Sequence, residues 1–145
     1  MATTPYPPEN EHEHELALDE DDAQGYRQPP NNIEAEMGLL GAMLENNRAY
    51  ERISEFLRPE HFFDPLHGRI YDACGKLIER SQQANPTTLK HVFDTEEFEE
   101  LGGHRYLAEL AGATFAIINA EDYGRLVYDL FLRRQLIELG TDVVN

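Results

Sequence analysis

Imidazole and carboxylate alternate in the run Glu11-His12-Glu13-His14-Glu15, and both groups ligate metals. Residues two apart share a face only in a strand, however, and nothing around this run would hold a strand rigid. It reads as a solvated acidic tail. An enzyme built on His12 and His14 would show itself as stoichiometric metal that survives dialysis and is lost when both are changed to Ala. The stretch Asp19 to Gly25 approaches a calcium loop, but Ala23 stands where a ligand belongs and Gly25 comes one position late. Gly75-Lys76 is followed by Leu77, so it has neither the glycine-rich loop nor the Ser or Thr of a phosphate-binding motif. H-E-x-x-H, CxxC and a serine nucleophile elbow are all missing from the sequence. Cys74 falls on an apolar helical stripe and reads as a buried thiol rather than a nucleophile. His67, near a helix start, reads as a packed or capping histidine. The chemistry on offer is that of a non-catalytic module.

Composition narrows the class further. The chain has 145 residues, enough for one domain, and a formal charge of −16. Residues 1–28 hold eight acids, one Arg, prolines and few large apolar side chains, the make-up of a disordered acidic tail. The 20 acids and 11 bases that follow leave residues 29–145 acidic too. Such a surface gains nothing from the phosphate electrostatics that drive non-specific nucleic-acid binding. The single cysteine cannot form an internal disulfide, which fits a reducing compartment. No apolar run approaches a membrane span and no secretory signal pattern is visible, so the cytoplasm is expected.

Helices must position whatever this chain presents. Pro29-Pro30 ends the tail, Asn31 or Asn32 caps the first helix, and Glu34 and Glu36 suit its positive end. Ile33, Met37, Leu40 and Leu44 share one face. Gly38 and Gly41 inside that helix predict a second backbone packed close by. A second helix is expected over Arg48–Leu57, with Ala49, Ile53, Phe56 and Leu57 inward. Pro59 stops it or opens a short turn through His61-Phe62-Phe63. Asp64 caps a third helix with Pro65 in its first position and Leu66, Ile70, Ala73 and Leu77 as its stripe. Thr87 or Thr88 caps a short helix holding Leu89, Val92 and Phe93. Thr95 caps another over Glu96–Leu101, which Gly102-Gly103 ends with one glycine left-handed. Arg105–Ala111 is amphipathic, and Gly112–Ile118 is either loop or helix end.

The last helix, capped by Asn119, carries two apolar faces. Tyr123, Leu126, Val127, Leu130 and Phe131 form one; Tyr128, Leu132, Leu136, Leu139 and Val143 form the other. Charge replaces the first face after Phe131, while the second continues to the end. The helix therefore starts packed on the globule and grows out of it, and its second stripe needs a partner. Asn145 carries no helix-stop signal, so a fragment of a longer protein is expected.

In order, Glu34-Ala35-Glu36 with Leu39-Leu40-Gly41, then Phe63, His67, Ile70, Tyr71 and Leu77, then Thr88-Leu89, resemble one known pattern. Gly102-Gly103 with Tyr106, Leu107 and Leu110, then Asn119, Tyr123, Val127, Arg133-Arg134 and Leu136-Ile137, continue it. Across Pro29 to Val144 the chain resembles the N-terminal domain of bacterial replicative DNA helicases of the DnaB type. Two positions depart from that family: Asn85-Pro86-Thr87 stands where an aspartate usually precedes Thr88, and Gly124 replaces a usual alanine. The resemblance implies an all-α fold, a compact domain of about six helices whose last long helix starts a helical hairpin. In the family, hairpins pair so that six domains form a collar of dimers on a ring-shaped helicase, and the collar docks primase and influences ring loading, with a helicase loader as a further implied partner. It implies an interface of Tyr128, Leu132, Leu136, Leu139 and Val143, with Arg133 and Arg134 as candidate interface charges. It also implies no cofactor in this chain: ATP and magnesium belong to a motor domain beyond Asn145, through which DNA would be engaged. Alone, such a fragment is expected to be a monomer or weak dimer. The competing reading is a stand-alone acidic helical adaptor without a motor.

Overall fold

A computed structural model describes residues 28–93, 96–100, 102–112 and 119–144. The acidic tail with His12 and His14, the cap expected at Thr95 and the stretch 113–118 lie outside the described residues. Seven α-helices and one 3-10 turn, and no strand, occur among them. In order these are α1 (Ile33–Glu45), α2 (Ala49–Ile53), the 3-10 turn Pro59–His61, α3 (Pro65–Glu79), α4 (Pro86–Val92), α5 (Glu96–Glu100), α6 (Gly103–Gly112) and α7 (Ala120–Val144). The chain is all-α, as its periodicity predicts.

α1 is the central element, packed against α2, α3, α6 and α7. Asn32 rather than Asn31 caps it, its side-chain oxygen accepting the Ala35 N–H at 3.0 Å. Enclosure by four helices buries eight of its thirteen residues, so the inward face is wider than one stripe. Ala35, Leu39, Leu40 and Met43 lie at its centre, while Met37 is only half-buried. Gly38 does admit a close neighbour, but that neighbour is a ring and not a backbone. A β-carbon there would sit 2.9 Å from the Tyr123 ring of α7.

α3 starts as its sequence predicts. Asp64 accepts the Leu66 N–H at 2.9 Å, and Pro65 occupies the first helical position. Its stripe of Ile70, Tyr71, Ala73, Cys74 and Leu77 is buried. Burial pushes the Cys74 thiol up to about 12, which suits a packing group and not a nucleophile. The 3-10 turn lies so close on α3 that a β-carbon at Gly68 would meet the Pro59 carbonyl at 2.6 Å.

α4 is capped by Asn85, not by Thr87 or Thr88. The Asn85 side chain accepts the Thr88 N–H and the Thr88 hydroxyl accepts the Asn85 N–H, both at 2.9 Å, with Pro86 in the first turn. Thr88 completes this capping box from its third position, so the helix starts earlier than the threonines suggest. The preceding loop is closed by Asn47, which accepts the Ala84 N–H at 2.8 Å and donates to the Ala84 carbonyl at 3.0 Å. Phe93 stacks on Phe98 at 4.6 Å and ties α4 to α5. Gly102, at φ 100°, makes the turn into α6. No helix among the described residues is long and apolar enough to cross a membrane.

Candidate interaction surface on the last helix

The body closes around a buried polar chain from α1, α3 and α6. Glu36 and His67 are almost completely buried. The Glu36 carboxylate lies 2.8 Å from His67 Nδ1 and accepts the Phe63 N–H at 2.7 Å and the Asp64 N–H at 3.3 Å. His67 Nε2 meets the Tyr106 hydroxyl. A neutral imidazole protonated on Nδ1 satisfies the whole chain: it donates to Glu36 and accepts from Tyr106. Burial first, then the nearby charges of Asp64, Glu109 and Glu36, push the Tyr106 hydroxyl up to about 12, so it keeps the proton it donates. Acid, imidazole and phenol here are all used in bonding to one another and to backbone. Their arrangement locks α1 to the start of α3 and to α6.

α7 leaves this body. Asn119 caps it, accepting the Glu121 N–H at 3.1 Å. Its first turns are embedded: Ala120, Gly124 and Val127 are buried, and Tyr123 covers Gly38. Gly124 lets the helix approach α2, since a β-carbon would sit 3.3 Å from the Phe56 ring and 3.5 Å from Ile53. Every described residue from Gln135 to Val144 is exposed. A 25-residue helix is about 37 Å long at roughly 1.5 Å per residue, so about 15 Å of it stands clear of the body.

The residues expected at an interface divide into two groups. Leu132, Leu136, Leu139 and Val143 are exposed by 41%, 67%, 60% and 77% and follow one helical face, while Ile137, on the opposite face, is exposed by 54%. Tyr128 and Arg134 are engaged by their own chain instead. Tyr128 is half-buried, edge-on to His61 at 5.0 Å and to Phe56 at 6.1 Å. Arg134 donates to the Pro30 carbonyl at 2.7 Å and to the His61 carbonyl at 2.8 Å. Arg133 points outward and pairs with Asp129 one turn back, at 3.1 Å. The exposed stripe thus begins at Leu132, one turn later than the sequence pattern starts it.

One feature was invisible in the periodic pattern. Glu36 reads as a first-turn charge satisfied by the helix dipole, yet it is the acceptor at the centre of the buried chain. Its only sequence signal is that it shares a face with Leu39, Leu40 and Met43. Among the described residues no group of three or more His, Cys, Asp or Glu could hold a metal.

Helical body and protruding apolar helix together define the class of an all-α helical domain. The model of the DnaB-like helicase N terminal domain matches residues 28–129. The chain belongs to that family. It is 45% identical over 131 residues to the replicative DNA helicase DnaB of Rickettsia conorii, covering 90% of this chain and 26% of that protein. With the replicative DNA helicase DnaB of Geobacillus stearothermophilus it shares 36% over 120 residues, 82% of this chain and 26% of the relative. The chain therefore spans about a quarter of the length of these curated relatives. Its fold matches the crystal structure of the N-terminal domain of DnaB helicase from Mycobacterium tuberculosis with a TM-score of 0.74. That match has 36% identity and covers 81% of this chain and 86% of the other.

Proposed function

We propose that this chain is the non-catalytic assembly and interaction domain of a hexameric replicative DNA helicase. Its arm, residues 135–144 of α7, pairs with a second copy, and dimers of such domains make the N-terminal collar of the ring. The collar docks primase at the replication fork and offers a surface to a helicase loader. ATP, magnesium and DNA are handled by a motor that this chain does not supply, in the cytoplasm of a bacterium. The observation that carries this reading is the stripe Leu132, Leu136, Leu139 and Val143, exposed on a helix that continues unbroken from the core. Apolar surface ordered on a helix and left in water is the usual mark of a protein–protein contact. Membership of the DnaB-like family supports the identity of the partner copy.

Sedimentation over a concentration series, without and with primase from the same bacterium, tests both halves. The expected result is reversible pairing that Leu136→Asp with Leu139→Asp removes, together with a heavier species when primase is added. Tight hexamers independent of concentration would contradict pairing through this arm alone. Absence of any primase complex while pairing persists would remove the docking role.

A further inference from the structure

The arm's direction needs a cause, because no described residue beyond Arg134 makes a hydrogen bond, ion pair or ring contact to the body. Arg134 makes the last of these contacts along α7. One guanidinium nitrogen takes the Pro30 carbonyl and another takes the His61 carbonyl, from segments 104 and 73 residues away in sequence. The guanidinium also lies over the rings of Phe63, at 5.5 Å, and Phe131, at 5.9 Å. The same backbone segment is gripped from its other end: Glu36 accepts the N–H groups of Phe63 and Asp64. A cation thus holds a carbonyl at residue 61 and an anion holds the N–H groups at residues 63 and 64. Both sets of bonds are charge-assisted, the stronger kind. Three parts of the chain meet here: the entry strap at Pro30, the turn at His61 and the root of the arm.

We propose that Arg134 is the positioning residue of the arm: it clasps α7 to the Pro30 strap and the His61 turn and so fixes the direction in which residues 135–144 leave the body. The planar fork of Arg reaches two carbonyls at once, and a lysine, a single charge on a flexible stem, cannot hold both in one plane. Tyr128 and Phe131, packed on His61, keep α7 docked on the body, so loss of the fork lets the helix tilt about these rings without unseating or melting it. The bearing of this clasp on ring assembly rests on the function proposed above; the clasp itself does not.

Spin labels at Lys90→Cys and Asp142→Cys, both exposed positions, report the distance between body and arm, while Cys74 is buried and stays unlabelled. The pair is measured in labelled chain diluted with an excess of unlabelled chain, so that distances within one copy dominate. The intact arginine should give one narrow distance, Arg134→Lys a broader distribution, and Arg134→Ala loss of the narrow distance. Hydrogen exchange over residues 136–142 should stay at its original level in Arg134→Lys, since the arm swings and does not melt. Should Arg134→Ala fail to fold, Arg134→Lys decides by itself. An unchanged narrow distance in a folded Arg134 variant would overturn the proposal. So would broadening accompanied by lost protection of the arm, because that would make Arg134 a support of helicity and not of direction. If pairing through the arm fails in sedimentation while the distance still broadens, the assembly function falls and the clasp stands.

Discussion

The two halves of α7 are one helix in two situations. Residues 120–134 and 135–144 are both rich in large apolar side chains. The first half spends them on the body: Ala120 and Val127 are buried, Tyr123 covers Gly38, and Tyr128 packs on Phe56 and His61. The second half leaves Leu136, Ile137, Leu139, Val143 and Val144 more than half exposed. In the body, the buried polar groups Glu36, His67 and Tyr106 are bonded to one another. A domain with a packed core that still extends an apolar helix has its core in one place and its exposed apolar surface in another. Substitutions should therefore separate stability from association according to the half they strike.

The widest separation should come from Glu36. Glu36→Ala removes the acceptor of two backbone N–H groups and of the His67 ring, and leaving each such buried donor unpaired costs about 1–3 kcal/mol. Thermal unfolding followed by circular dichroism should show a body close to its folding limit. Next, Leu40→Ala empties part of the core and should cost about 3 kcal/mol, whereas Leu139→Ala on the arm should leave the melting temperature nearly unchanged and weaken self-association. Asn85→Ala removes the capping box of α4 and should cost about 1 kcal/mol without touching association.

A smaller effect is set by pH. Burial holds the His61 imidazole below its usual 6.5; Glu60 opposes this, and Arg58 and Arg134 add to it. His61 is neutral in the fold, its Nδ1 accepting the Arg58 N–H at 2.8 Å. The unfolded chain takes up this proton first, so its contribution is complete above pH 6.5 and is lost as pH falls through the lower folded value. On the alkaline side, Cys74 and Tyr106 hold their protons up to about 12 in the fold, against 9.0 and 10.0 ordinarily. Their contribution is complete below the ordinary values and is lost as pH rises toward about 12. A melting curve that is flat near neutrality and falls at both ends is expected, and His61→Phe should flatten the acid side. Least of all, Arg133→Ala breaks only an exposed pair with Asp129 and should not move the melting temperature.

Helix starts with local chemistry were readable in the chain. Asp64 before Pro65 and Asn119 before two acids act through bonds two residues long, and the sequence contains both partners. Thr87 and Thr88 misled because Asn85 offers a better acceptor just upstream, with Thr88 answering from the third position. Long-range polar contacts were not readable. Arg134 falls on the first face of α7, where charge takes over from the apolar residues, and only folding brings Pro30 and His61 to it from distant parts of the chain. Glu36 was hidden for the same reason: a charge in the first turn of a helix is explained well enough by the dipole until another helix is seen to cover it. The two apolar faces of α7 were visible, but which residues the body claims depended on where Phe56 and His61 lie, and they claim Tyr128.

The central claim is that the arm, and not the body, is where this chain meets another. Sedimentation equilibrium of the wild-type chain and of Leu136→Asp with Leu139→Asp, over the same concentration series and with melting curves recorded beside them, tests it most directly. The account predicts a weight-average mass that rises with concentration for the wild type and stays at the monomer for the variant, with the same melting temperature in both. A mass that stays flat in the wild type, or a rise that survives both aspartates, would contradict it.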